Sequence, residues 1–511
     1  MKNTTRHILS AILLSGILAG FAAVVVVAGV SDPMKQTKHY SNTYEKGAVN
    51  AGEEEDVGKK EGHEFANEVA PKKEILPAEG SSEASNTIFT NPGEDCSTSM
   101  NISWITPPGK VCKIEVVDES DPHTYIYDYE AEDVNYPNDE QKPVEIASGD
   151  VAAGTILPDD TLCGTFNDRP SKLANGREVM EKHLFEKHGY RLFNLKPDTD
   201  YSYRILTYDK ASGKMEHSET HHFHTAGATR WKAAILGDFH HYSPEPLRLA
   251  SAMGMLNVLD SVGGGIDWVL STGDQCAWGG SLNFWTELAD QAGFRNYMWA
   301  SVEGNHDNMD RHNATSDAFF RDTHFFPRNG YPGQQGASYW FKYGDVLFLM
   351  LNNEGMLGSG SEKPAVDWME KVIANHPSKY VVVVEHHQWL AGTDGSNGQL
   401  DRWEKEFDRL GVDLAISGNN HAYLRTYPLN DRHQVASDKG TYYVVTPSSD
   451  NERGRSLNAI KANQELIASR WSEGAHTVGG MIMDVNPKRI AMTLYDRHGN
   501  VEDSFTVPAK R

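Results

Sequence analysis

Ala233-Ala234-Ile235-Leu236-Gly237-Asp238-Phe239-His240 carries the signature from which the fold is read. Four uninterrupted apolar residues fit a strand buried on both faces. The glycine permits a tight turn, and Asp238 and His240 are metal-ligand residue types. The same grammar recurs downstream. Asp267–Leu270 leads to Gly273-Asp274, and Tyr297–Val302 to Gly304-Asn305-His306-Asp307. Tyr380–Val384 leads to Glu385-His386-His387, and Asp413–Ile416 to Gly418-Asn419-Asn420-His421. A further apolar strand, Val346–Leu351, ends in no ligand type. Helical patterns over Pro246–Asp260, Ala365–Asn375 and Leu400–Leu410 separate the strands. This alternation predicts an α/β core with both sheet faces covered and a site beyond the carboxyl ends of its strands.

One Asp or His after a strand is an ordinary turn residue. Five such ends converging on one sheet edge do not fit that explanation. Carboxylate, imidazole and amide oxygen together suit Zn, Mn or Fe dications. Such ions would lower the pKa of a shared water, supply hydroxide near neutral pH and neutralise phosphoryl charge. Cys276 lies close to Asp274 but has no thiol partner in sequence, and reads as a small buried residue.

The remaining chain sets limits. At about 100–200 residues per domain, 511 residues allow roughly three domains. A net charge of −23 argues against nucleic-acid binding through phosphate neutralisation, but not against a phosphate ester held by metal cations. Four cysteines, none in a CxxC pair, exclude a zinc ribbon or a disulfide-dense scaffold. Lys2 and Arg6 precede an uncharged apolar run from Ile8 to Val30, read as either a cleaved signal or a retained membrane anchor, with the rest of the chain exported. Residues 31–86, with Glu53, Glu54, Glu55, Asp56, Lys59, Lys60 and Glu61, read as a polar disordered linker. From Thr87 to Ala226 the pattern is short alternating strands bounded by turns. Examples are Asn101–Ile105, Lys113–Val116, Tyr201–Ile205 and His221–Thr225. These predict an antiparallel sandwich, in which His221, His222 and His224 simply alternate along one strand.

Two resemblances follow. The stretch from Ser97 to Trp104, with Leu195-Lys196-Pro197-Asp198-Thr199 and Tyr201-x-Tyr203, resembles the fibronectin type III-like domain of purple acid phosphatases. The strand-end residues resemble the calcineurin-like metallophosphoesterases, with D-x-H, G-D, G-N-H-D, H and G-H-x-H motifs. The implied fold is an α/β sandwich of mixed sheets flanked by helices, preceded by an all-β sandwich. The implied boundaries are 1–30, 31–86, 87–227 and 228–511. The family places Asp238, His240, Asp274 and His421 on one divalent ion. Asp274 bridges to a second, held also by Asn305, His386 and Asn419, while His306 serves the leaving oxygen. Two departures stand out. Ala277 occupies the position of the purple acid phosphatase tyrosine, and those enzymes lack the histidine present here as His240. Asn419 replaces a family histidine, which implies a weaker second site unless a supporting shell is built around it.

The expected activity is metal-dependent hydrolysis of a small phosphorylated substrate, a phosphomonoester first, with no nucleic-acid or protein partner inferred. The alternatives are a phosphodiesterase or nucleotidase, and a surface binding protein with a degenerate catalytic domain. Residues 1–85 contain no site residue, so a chain beginning at Asn86 should turn over substrate at the full-length rate. A loss above about tenfold, equivalent to about 1.4 kcal/mol in the barrier, would contradict these boundaries.

Overall fold

The computed structural model describes residues 87–106, 110–120, 125–128, 156–158, 182–184, 186–209, 211–227, 229–242, 245–277, 279, 282–308, 319–353, 362–390 and 398–510. The apolar run Ile8–Val30 and the polar segment to Asn86 lie outside them. No helix among the described residues is long and apolar enough to cross a membrane.

The front region is built from antiparallel pairs. One sheet orders Ile88–Pro92, Met100–Thr106 and Glu186–Leu192. The other orders His221–His224, Asp200–Asp209, Lys110–Asp118 and Tyr125–Asp128. Ile102, Trp104, Ile114, Val116, Tyr203, Ile205 and Phe223 fill one core between them. Thr90 Oγ1 and Tyr203 Oη, 2.6 Å apart, bridge the two sheets. His221 is buried and stacks on Tyr203, whereas His222 pairs with Glu119 and His224 with Asp200 on the exposed side. The alternation along that strand is therefore structural.

The polar members of Met100–Thr106 are not solvated, as they would be on an ordinary half-buried strand. Thr106 pairs with His188 within the front region, while Asn101 and Ser103 face the chain that follows Trp231. Asn101 Nδ2 donates to the Phe325 carbonyl at 2.9 Å, and Ser103 Oγ to that of Thr323 at 2.6 Å. On the neighbouring strand Asn91 donates to the Trp299 carbonyl at 3.0 Å and accepts from the Phe325 N–H at 2.7 Å. A polar stripe that looks water-facing in sequence thus joins the front strands to the chain that follows them.

The strands from Trp231 onward form two mixed sheets. The six-stranded sheet orders Met298–Ser301, Trp268–Ser271, Trp231–Leu236, Gly479–Asn486, Arg489–Asp496 and Val501–Pro508. The seven-stranded sheet orders Tyr339–Tyr343, Val346–Met350, Tyr380–Val384, Leu414–Ser417, Tyr442–Val445, Tyr423–Thr426 and Ile467–Trp471. This corrects the expectation of one sheet edge, because the ligand-bearing strand ends belong to two sheets. The reason is visible within single strands. Val346, Phe348 and Met350 join the core shared with the first sheet, where Phe348 meets Trp268 at 5.2 Å between ring centres. Leu347 and Leu349 point the other way, into a second core under helices Lys363–Asn375 and Leu400–Leu410. Period-two geometry gives one strand two apolar faces, one for a sheet and one for helices.

Asn91→Ala should destabilise the whole described body, because it leaves the buried Phe325 N–H and Trp299 carbonyl without this partner. The expected cost is about 1–3 kcal/mol per unpaired group, read from the denaturation midpoint. A change below about 0.5 kcal/mol, typical of a surface site, would show that the two regions are held by something else.

Candidate metal centre

The carboxyl ends of Trp231–Leu236, Trp268–Ser271 and Met298–Ser301 in one sheet meet those of Tyr380–Val384 and Leu414–Ser417 in the other. Asp238, His240, Asp274 and His421 project into the junction. All four are buried, and their ligand atoms lie within 4.8 Å of one another. His240 Nε2 is 3.0 Å from Asp274 Oδ2, and His421 Nε2 is 3.5 Å from Asp238 Oδ1. On the opposite side of Asp274, His386 Nε2 lies 3.2 Å from the same Oδ2 and 3.1 Å from Asn305 Oδ1. Asp274 Oδ2 therefore contacts imidazoles from both sheets.

The turns that deliver these side chains are unusual. Asp238, His240, Asp274, Asn419 and His421 all have positive φ, between 40° and 68°. Non-glycine residues occupy that region at a cost, and such outliers concentrate at functional sites. Two glycines provide the space. A Cβ on Gly304 would lie 2.1 Å from Asp274 Oδ1, and one on Gly418 would lie 2.6 Å from Asp238 Oδ2. The turns are also tied together. Asp307 accepts from the N–H groups of Gly304 and Cys276, both at 3.0 Å. Asp274 Oδ1 accepts from the His306 N–H at 2.8 Å, and both Asp238 oxygens accept from the Asn419 N–H.

The donor chemistry fits cations. In three imidazoles Nδ1 faces an oxygen: His240 to Asp450 at 3.2 Å, His386 to the Thr272 carbonyl at 2.8 Å and His421 to the Arg453 carbonyl at 2.6 Å. In the neutral ring, an Nδ1–H donated outward leaves the Nε2 lone pair directed inward, which is the tautomer a metal requires; without a cation, the proton that Asp274 holds on His386 occupies that place. Burial pushes Asp238 up to about 7, with Asp274 adding to the rise. Burial would raise Asp274 as well, but the imidazoles of His386 and His306 and hydrogen bonds from His240 and His386 hold it well below the usual range. Burial would lower His386, and Asp274 outweighs it and raises it. A pocket that keeps one carboxylate ionised with protonated imidazole, and leaves a second near neutrality, has a strong demand for positive charge.

His306 occupies a different position. Its Nδ1 is 3.1 Å from the Ala277 carbonyl, and its Nε2 is 4.0 Å from Asp274 Oδ2 and 3.4 Å from Arg453 Nη1. Burial first, and Arg453 and His240 next, hold it neutral, although Asp274 pulls the other way. Asn305 and Asn419 are half-buried and stand at the mouth of the site. The Asn419 amide nitrogen lies 2.5 Å from Gln388 Oε1 and 3.2 Å from His387 Nδ1. A shell therefore surrounds Asn419, the alternative to simple weakening. Cys276 is fully buried and its thiol is pushed up by burial, as expected of a packing residue.

Sequence reasoning missed Asp450 and Arg453. Asp450 is fully buried and orients His240. Both follow the apolar strand Tyr442–Val445, whose end repeats the ligand-bearing pattern without its glycine.

Comparison with known proteins adds the following. Residues 232–423 match the sequence model of the family described as calcineurin-like phosphoesterase. Two uncharacterized Mycobacterium tuberculosis proteins, from different strains, are each 27% identical over 172 residues. That match spans 30% of this chain and 32% of each relative. Among solved structures, purple acid phosphatase PPD1 from yellow lupin (Lupinus luteus) seeds superposes with a TM-score of 0.61 at 16% identity, covering 83% of this chain and 74% of that one. PhoD superposes with a TM-score of 0.51 at 13% identity, covering 85% and 94%. At such identities the superpositions establish the fold.

Asp274→Asn should lose more bound metal than any other single ligand change, because the amide keeps the shape and removes the shared charge. His306→Ala should keep its metal and lower turnover by roughly 10²–10⁴-fold. Equal metal loss in both variants, measured by elemental analysis, would erase the distinction between ligand and proton carrier. Asn419→His should need at least as much added metal for activity as wild type, since a ring must displace the amide from Gln388. A lower requirement would restore the weakened-ligand reading.

Proposed function

We propose that this chain, whose residues 232–423 are a calcineurin-like phosphoesterase domain, is a phosphoric ester hydrolase that works with two divalent cations. The observation that carries the reading is Asp274 Oδ2, 3.0 Å from His240 Nε2 and 3.2 Å from His386 Nε2. One carboxylate oxygen serves two donor sets. Asp238, His240, Asp274 and His421 would hold one ion, and Asp274, Asn305, His386 and Asn419 the other. When bound, such ions supply Lewis acidity toward phosphoryl oxygens and make water a nucleophile near neutral pH.

The protein contributes orientation and proton management. Outward hydrogen bonds at Nδ1 fix the three ligand rings, so little reorganisation is needed on binding. His306 Nε2 is the imidazole nitrogen at the centre left out of both donor sets, and it serves the leaving oxygen. It is neutral in the solitary site. A bound phosphate dianion would favour its protonated form, so His306 would take up a proton from solvent as the substrate binds and hold it for the leaving oxygen. Ala277 offers no phenolate, so iron–tyrosinate chemistry has no ligand at that position.

We further propose that the enzyme acts outside the cytoplasm. The support is the apolar run Ile8–Val30 behind Lys2 and Arg6, followed by a polar tether. External protease should reach the chain on spheroplasts; full protection there would place it inside the cell.

Purified protein supplied with Mn or Zn should hydrolyse a generic aryl phosphate. A chelator should abolish the activity and readded metal should restore it. Turnover unchanged after verified metal removal would refute the mechanism, and no turnover with metal bound would refute the activity.

A further inference from the structure

We propose that Arg453 binds the phosphoryl group of the substrate and makes the site selective for phosphate monoesters over diesters. This rests on the hydrolase reading above and names its substrate class. The residue lies beyond the stretch matched by the family, in the loop that leaves strand Tyr442–Val445.

The loop is fixed from inside the site. Asp450 Oδ1 accepts from Ser448 Oγ at 2.9 Å, the Glu452 N–H at 2.8 Å and the Arg453 N–H at 2.9 Å. Its Oδ2 faces His240 Nδ1 at 3.2 Å. The Arg453 carbonyl accepts from His421 Nδ1 at 2.6 Å. The Arg453 backbone is thus held at its carbonyl by His421 and at its N–H by Asp450, which itself faces His240, and its position is set before its side chain does anything. The guanidinium then places Nη1 3.4 Å from His306 Nε2. Arg453 is half-buried, whereas Asp238 and Asp274 beneath it are fully buried. It reaches the centre from the rim, on the side of the one imidazole assigned to the leaving oxygen.

A guanidinium at this place, beside the imidazole assigned to the leaving oxygen, meets an incoming phosphoryl group in a charge-assisted contact, and its planar fork matches two phosphoryl oxygens. A monoester presents three non-bridging oxygens sharing two negative charges, and a diester presents two sharing one. The guanidinium therefore gains more from the monoester. Fixing it through the backbone keeps it in place without a substrate, so little is spent on ordering it.

The test compares metal-loaded wild type, Arg453→Gln and Arg453→Lys. Hydrolysis of p-nitrophenyl phosphate and of bis(p-nitrophenyl) phosphate is measured, together with orthophosphate binding by calorimetry and metal content. Arg453→Gln should lower kcat/KM for the monoester about 10²-fold, lower it less than about threefold for the diester, and weaken orthophosphate binding about tenfold. Arg453→Lys should fall between, with metal content unchanged in both variants. Equal losses on the two esters, or orthophosphate binding unchanged by Arg453→Gln, would overturn the assignment. Metal loss that accounts for the activity loss would also overturn it and leave Arg453 a support for the loop. If the metal-loaded wild type hydrolyses neither ester, the hydrolase reading fails, and orthophosphate binding alone decides Arg453. Weakening by Arg453→Gln sustains it; no binding by wild type, or equal binding by both, ends it.

Discussion

The Asp274 carboxylate is the constraint around which the catalytic half is arranged. It is fully buried and ionised, and an isolated carboxylate there would cost several kcal/mol in lost hydration. Its surroundings offset that cost from every side. The His306 N–H serves Oδ1, and His240 and His386 serve Oδ2. These partners come from strands of two different sheets, so the sheets must bring their carboxyl ends to one point. Gly304 must lack a side chain for the turn to come this close. Strand order, turn composition and electrostatics meet at one oxygen pair.

The positive φ angles of five site residues show what this convergence costs. Left-handed backbone at a non-glycine residue is worth about 1–2 kcal/mol of strain. Local hydrogen bonds hold the strained turns. The His240 N–H reaches the Asp274 carbonyl, and the Asp238 N–H reaches that of Gly273. Further stabilisation comes from the strands behind them, whose side chains are buried on both faces. A double-sheet core can hold these three turns in geometry that none would adopt alone, and the ligand set is therefore positioned before a cation arrives.

Much of this was legible in sequence, for a physical reason. An apolar run with no alternation can only be buried on both faces, and a Gly followed by Asp, Asn or His marks where it ends. Ala233–His240 and Leu414–His421 announce themselves in this way. What covers the second face was not legible. Phe348 and Leu349 are equally apolar, yet one meets a sheet and the other a helix layer, and only three-dimensional packing distinguishes them. Asn101 and Ser103 alternate with apolar residues as a solvent-facing edge would, because hydrogen bonds to another part of the chain use the same chemistry as hydrogen bonds to water. Asp450 and Arg453 escaped because Thr446-Pro447-Ser448-Ser449 separates them from their strand end and their partners lie far away in sequence. Asp450 is 210 positions from His240, and Arg453 is 147 from His306.

The distribution of charge reconciles an acidic protein with an anionic substrate. A net charge of −23 repels a phosphate ester at long range. That repulsion is screened beyond about 8–10 Å at physiological ionic strength. Within that distance the substrate meets the mouth of the site. There Asn305 and Asn419 are neutral, His306 is neutral, and Arg453 carries a positive charge. The acidic groups nearest the centre, Asp238, Asp274 and Asp450, are fully buried and committed to backbone and imidazole donors. Negative charge is thus stored in the buried groups, where it would attract cations, and the positive charge of Arg453 is half-buried above them, where the proposed ester would arrive. Separating the two signs by depth would let one small cleft take cations and a phosphate without either being repelled by the groups that recruit the other.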